Sequence, residues 1–212
     1  MFMKRSFDQI LIREYWSRYK KFGSTPMGSF WLSKKRQERR FKIIIDEIKK
    51  LKKTHFVELS DIGCGYGALA KYIKVSEDIR IGKYTGYDVN KDLIGVCKKE
   101  INEKWADFKV GSKPDRTTMF AVMSGTYNLA ATKNIFNWEK YVEDCLSNCW
   151  DRTLAAMIFN VQVSKEARIS KENIYYAEKP RILNFCVSSF GPTKLVEHNE
   201  LPNDATFVVL KV

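Results

Sequence analysis

Histidine is nearly missing from this chain, with two in 212 residues, and the five cysteines at 64, 97, 145, 149 and 186 form no Cys-x-x-Cys pair. A zinc centre therefore has too few ligands, and an odd, scattered set of thiols does not make a disulfide framework. Cys145 and Cys149, four apart beside Leu146 and Trp150, read as the packed face of a helix. The three-cysteine Cys-x-x-x-Cys-x-x-Cys arrangement that holds an iron–sulfur cluster fails at position 152, an arginine. No stretch approaches 18 uninterrupted apolar residues, and Met1 to Asp8 lacks the apolar middle of a secretory signal. The expectation is a cytoplasmic protein with no membrane partner. Internal repeats and low-complexity segments are absent as well.

What the chain does have is basic charge in one place. Residues 1–55 carry 16 Lys and Arg against 5 Asp and Glu, whereas residues 56–212 are nearly balanced at 21 against 20. Such a block reads as a solvated helix pair, a steering patch for an anionic small substrate, or a nucleic-acid footprint. The content, 44% hydrophobic and 13% aromatic, suffices for one buried core. Two units are expected: a basic N-terminal helical extension or lid over 1–55, and a domain over 56–212.

Aromatic and aliphatic residues recur at helical spacing over 7–21 (Phe7, Ile10, Leu11, Tyr15, Tyr19) and again after Ser33 (Gln37, Arg40, Phe41, Ile44, Ile45, Ile48). From Phe56 the periodicity alternates between strand and helix. It predicts strands near 56–61, 83–88, 106–111, 119–124 and 154–161, with helices near 66–75, 90–102 and 137–150. This is the pattern of a mostly parallel α/β sheet with helices on both faces. Residues 111–119 are too few for a crossover helix. A polar stretch at 162–180 reads as a surface excursion, Pro180 opens a helix, and 193–197 and 206–212 read as two final strands.

The chemistry is announced by Asp61-Ile62-Gly63-Cys64-Gly65-Tyr66-Gly67, a strand turning tightly into a helix. The glycine spacing satisfies a loose dinucleotide template, while no Gly-Lys-Ser/Thr follows to make a phosphate loop. Asp61 discriminates. A carboxylate entering the turn repels a pyrophosphate and suits a cationic ligand, the amine and sulfonium of S-adenosylmethionine (SAM). Asp88 ends the next strand, where an acid can accept both ribose hydroxyls of either cofactor.

Asp61-x-Gly63-x-Gly65-x-Gly67, the acid at Asp88 and the strand sequence beyond resemble the class I SAM-dependent methyltransferases. Segments 19–23, 31–41, 124–128 and 197–199 are similar to a bacterial, small-molecule-type subgroup. The resemblance implies a Rossmann-like seven-stranded sheet with an antiparallel last strand, SAM as cofactor and S-adenosylhomocysteine as product. It also implies that Asp61, Gly63 and Gly65 face the methionine part, Asp88 and Val89 the ribose and adenine, and Gly111 and Ser112 the adenine edge. Ser124 and Gly125 would then close the pocket, and Gln37 or Arg40 would reach the methionine carboxylate.

Strand ends supply the remaining candidates. His198 and Tyr127 are the catalytic ones, with a base or substrate-contacting role for His198. Tyr15, Tyr19, Trp31, Asn128 and Asn160 are the substrate-binding ones. The turn after the fourth strand, Ser124-Gly125-Thr126-Tyr127, lacks the prolines that typify amino methylation of nucleic-acid bases, and no proline precedes a cysteine. Strand-end acids of the metal-dependent type are absent, so no metal is expected. The reading is metal-independent, in-line methyl transfer to an oxygen or nitrogen of a small anionic metabolite, phosphorylated, nucleotide-linked or glycan-related. An RNA methyltransferase using the basic extension is the alternative, and a non-catalytic SAM-binding module the second.

Overall fold

The computed structural model describes residues 2–31, 33–53, 55–76 and 79–211. Helix α1 (Phe2–Phe22) and helix α2 (Lys34–Leu51) flank a single 3-10 turn, Pro26–Ser29. The α/β body follows: β1 (Glu58–Ile62), α3 (Ala68–Val75), β2 (Lys83–Asp88), α4 (Lys91–Glu100), β3 (Ala106–Val110), β4 (Thr118–Ser124), α5 (Ile135–Trp150) and β5 (Thr153–Ser164). The chain ends with β6 (Arg168–Ile169), β7 (Tyr175–Glu178), α6 (Lys179–Ser189), β8 (Thr193–Val196) and β9 (Asp204–Leu210). As expected, no helix lies between β3 and β4.

The first five strands are parallel in the order β3-β2-β1-β4-β5, and β9 pairs antiparallel with β5 and with β8. Counting only these seven strands, the order is 3-2-1-4-5-7-6 with the seventh antiparallel, the Rossmann-like arrangement expected. Right-handed crossovers put helices on both faces. One apolar layer gathers Met123, Trp138, Met157, Phe159 and Phe207, and the other gathers Ile44, Leu59, Phe120, Ile158 and Val208.

Two segments differ from expectation. Helix α2 is a layer of the core: Ile44, Ile45 and Ile48 are wholly buried, each contributing about 1.5–3 kcal/mol of burial. Its apolar residues at 41, 44, 45 and 48 form one stripe against the sheet, and Ser33 caps it by accepting the Arg36 N–H. The excursion at 162–180 is also packed. β5 runs past its pairing with β9, and its last residues, Val163 and Ser164, pair in parallel with Ala177 and Glu178 of β7. Tyr175 and Ala177 are fully buried there, and the Tyr175 hydroxyl donates to Glu139 Oε1 at 2.8 Å. A polar stretch hid a strand because only alternate residues face inward. No helix among the described residues is long and apolar enough to cross a membrane.

Candidate active site: two cavities sharing one wall

At the carboxyl end of β1 the chain reverses into α3 through the glycine turn. Gly63 has φ +73°, and a Cβ there would lie 2.4 Å from Thr126 Cγ2, so the turn after β4 is packed directly on the turn after β1. The Thr126 hydroxyl donates to the Ile62 carbonyl at 2.8 Å. The Gly63 and Cys64 N–H groups both donate to the Tyr87 carbonyl, at 2.7 and 3.0 Å. Asp88 braces the same turn: its Oδ2 accepts the Gly65 N–H at 2.9 Å and its Oδ1 the Asn90 N–H at 2.8 Å. Each oxygen keeps a second lone pair for a ligand hydroxyl.

Asp61 is almost wholly buried, and its Oδ2 accepts the Tyr84 hydroxyl at 2.6 Å. Burial pushes its carboxyl up to about 7, against the Tyr84 hydrogen bond and with help from the charge of Asp88. Burial likewise raises Asp88, opposed by the N–H groups of Asn90 and Gly65.

These groups line the first cavity, roofed by Leu11, Ile12 and Tyr15 of α1 and by Gln37 and Phe41 of α2. Of the expected cofactor residues, Gln37, Asp61, Gly63, Gly65, Asp88, Val89, Gly111, Ser112, Ser124 and Gly125 all border it. Among the described residues no Lys, Arg or His does, although two carboxylates do. A cationic ligand fits that imbalance and a pyrophosphate does not. The Ser124 hydroxyl, buried and without a hydrogen-bond partner, adds an unsatisfied polar atom at the cavity wall. The residues present therefore fit SAM.

Arg40 is the exception in the expected set. Its guanidinium is buried, pairs with Asp204 of β9 and lies 4.2 Å from the centroid of the Trp31 ring. It borders a second cavity of about 130 Å³ with Arg36, Asn128, Gln162, Tyr176 and Asn203. Tyr15, Ser29, Trp31 and Gly125 border both cavities and so form the wall between them. At Gly125 (φ +70°) the indole comes close enough that a Cβ would lie 2.9 Å from Trp31 Cζ2.

Tyr127 also lines the first cavity, but its hydroxyl donates to Met123 Sδ at 3.3 Å, and burial holds its proton firmly. Asn160 is fully buried next to Ser124 in the strand register, with neither amide atom partnered, and it borders neither cavity. Tyr19 stacks on Trp16, bonds Ser24, and is likewise outside both. His198 is placed differently from its expected catalytic role. It follows β8 on the anticipated sheet edge, yet it lies outside both cavities, with Nδ1 accepting the Glu200 N–H at 3.2 Å.

Sequence reasoning missed Arg36, Gln162, Tyr176 and Asn203. Only Arg36 carried a usable signal: it stands four residues before Arg40 and so shares its helix face.

No family model matches the chain. It is 26% identical over 157 residues to a Mycobacterium tuberculosis protein named as a putative methyltransferase, Rv1506c, across 72% of this chain and 92% of that one. Among solved structures, the DhpI complex with S-adenosylhomocysteine superposes with a TM-score of 0.65 at 10% identity, covering 96% of each chain. Magnesium protoporphyrin IX methyltransferase of Synechocystis PCC 6803 with bound SAM gives 0.60 at 9% identity, over 82% of this chain and 79% of that one. The chain thus has the Rossmann-like fold of these SAM-dependent methyltransferases, and it is similar in sequence to a protein named as a methyltransferase.

Proposed function

We propose that the protein transfers a methyl group from SAM to an oxygen or nitrogen of a small anionic metabolite. The observation that carries this reading is the opposition of charge across one wall: the carboxylates of Asp61 and Asp88 on the donor side, and on the other Arg36 with Arg40, the latter paired with Asp204.

When bound, SAM supplies a methyl group on a positively charged sulfur, activated for displacement. Asp61 would hold the cationic methionine amine, and Asp88 the ribose hydroxyls. The backbone at Gly63 and Gly65 permits close approach. Tyr15, Trp31 and Gly125 stand between the two cavities, and the acceleration would come chiefly from holding two reactants in line.

A minor part of the basic charge of the N-terminal segment is matched within the fold. Lys35 and Arg39 meet Glu200, Arg40 meets Asp204, Lys34 meets Glu38 and Lys50 meets Glu47.

The test is release of S-adenosylhomocysteine from SAM with a panel of anionic metabolites, with and without added tRNA. Turnover on a small anion, indifferent to tRNA, is expected. Turnover only with RNA, weakening steeply with salt, would replace this reading, and SAM binding without turnover on any acceptor would make the chain a binding module.

A further inference from the structure

We propose, building on the methyl-transfer reading above, that the acceptor atom is an ionised carboxylate oxygen and the product a methyl ester. Three observations converge on this: which groups can take a proton, where positive charge is left over, and which way one amide faces.

An alcohol acceptor must lose a proton as the new bond forms, so a base is needed within hydrogen-bond reach. Among the described residues, neither cavity is bordered by His, Lys or Glu. The two carboxylates present lie on the donor side, Asp61 held by Tyr84 and Asp88 by two backbone N–H groups, and neither borders the second cavity. Burial raises the hydroxyls of Tyr15, Tyr66, Tyr127 and Tyr141, so they keep their protons. The wall between the cavities, Tyr15, Ser29, Trp31 and Gly125, thus offers no base. An acceptor that turns over here must arrive without a proton to lose.

Charge narrows the choice. Arg40 is neutralised by Asp204, and Arg36 lies within electrostatic reach of that same carboxylate without a direct bond to it. The second cavity is therefore left with about one positive charge and, among the described residues, no acidic lining. That matches a carboxylate, whereas a phosphomonoester brings about 1.5 to 2 negative charges. Arg36 suits the role because a guanidinium grips a planar carboxylate through two parallel N–H donors.

The amide of Asn128 selects oxygen over nitrogen. Its Oδ1 accepts the Gln162 N–H at 3.0 Å, which fixes the orientation of the group. Its NH2 is thereby turned toward Gly125 at the wall, where Nδ2 lies 3.2 Å from the position of a Cβ on that glycine. A donor there would occupy the only lone pair of an amine. A carboxylate can accept it on one oxygen and keep a lone pair on the other for the methyl group, even while Arg36 grips both.

The step balances without a proton. One carboxylate oxygen gives an electron pair to the methyl carbon, the bond from that carbon to sulfur breaks, and its pair stays on sulfur. The products are a neutral ester and a neutral thioether.

The experiment incubates the full-length protein and methyl-tritiated SAM with a small-molecule extract of the source cells, and in parallel with carboxylic acids each paired with its primary amide. Mild alkali then separates product classes, since a carboxylate methyl ester releases volatile labelled methanol while ethers and methylamines do not. The expected result is label that alkali releases, transfer to acids but not to their amides, and kcat/KM lowered at least tenfold by Arg36→Ala. SAM affinity should be unchanged in that variant, and Arg36→Lys should recover part of the loss. Alkali-stable label, or an Arg36→Ala variant with full kcat/KM, overturns the carboxylate assignment while leaving methyl transfer intact. No transfer to any acceptor despite SAM binding overturns the methyl-transfer reading and this inference with it.

Discussion

The two cavities are built by opposite means. The floor of the donor cavity is shaped by backbone: glycines at strand ends, N–H groups tied to Tyr87 and Asp88, and a turn locked by Thr126. The second cavity is made of side chains drawn from α2, the turn after β4, β5, β7 and the loop before β9. A ligand common to a family can be met by a fixed backbone, whereas an acceptor peculiar to one enzyme is met by side chains that vary freely around it.

Stability separates the two arginines of the second cavity most sharply. Arg40→Ala would strand Asp204 as a buried, unpaired carboxylate, at a cost of about 3–5 kcal/mol. Arg36→Ala, at a half-buried residue in no ion pair among the described residues, should change stability by less than about 0.5 kcal/mol. Urea unfolding of both variants checks the contrast, and equal losses would break it.

On the donor side, Asp61→Asn removes a buried charge facing a cation and should weaken SAM binding about 100-fold. The same change should raise the unfolding temperature of the free protein at pH 8. The Asp61 carboxyl, near 7 when folded, lies above its unfolded value, so the stability it contributes at low pH is lost as pH rises through about 7. Scanning calorimetry at pH 5 and pH 8 should show a gain at both that is larger at the higher pH, because the loss runs from the unfolded value of 3.8 up to about 7.

Gly63→Ala places a side chain against Thr126 at a left-handed φ. It should cost about 1–3 kcal/mol, readable in the same urea series. A smaller effect is expected from pH on the wild type. SAM affinity should rise from pH 6 to pH 8 and then level off as Asp61 ionises, and an affinity falling over that range would remove Asp61 from the site. The smallest effect belongs to His198→Ala, which should leave both SAM affinity and turnover within about twofold, because that side chain lies outside both cavities.

The same division explains what could be read from the chain beforehand. Asp61, Gly63, Gly65 and Asp88 were legible because backbone geometry and a nearby charge restrict which residues fit there. Strand positions are legible because their period is written in Leu59, Tyr84, Phe120 and Ile158, and the arrangement of the sheet follows from the family resemblance. Arg40 was found but given the wrong partner, since nothing local reveals that Asp204, 164 residues away, closes over it. The strand at Tyr175 is hard to read because its polar residues face outward, and the surroundings of His198 are as well, because a sheet edge fixes where a loop begins, not where its side chains go.

The most direct test is a calorimetric titration of SAM and of NADH into the wild-type protein at pH 8. Saturable binding of SAM and none of NADH is expected, because Asp61 and Asp88, with no Lys, Arg or His beside them in the cavity lining among the described residues, attract a sulfonium and an amine and repel a pyrophosphate. Binding of NADH, or no binding of SAM to the folded protein, would contradict it.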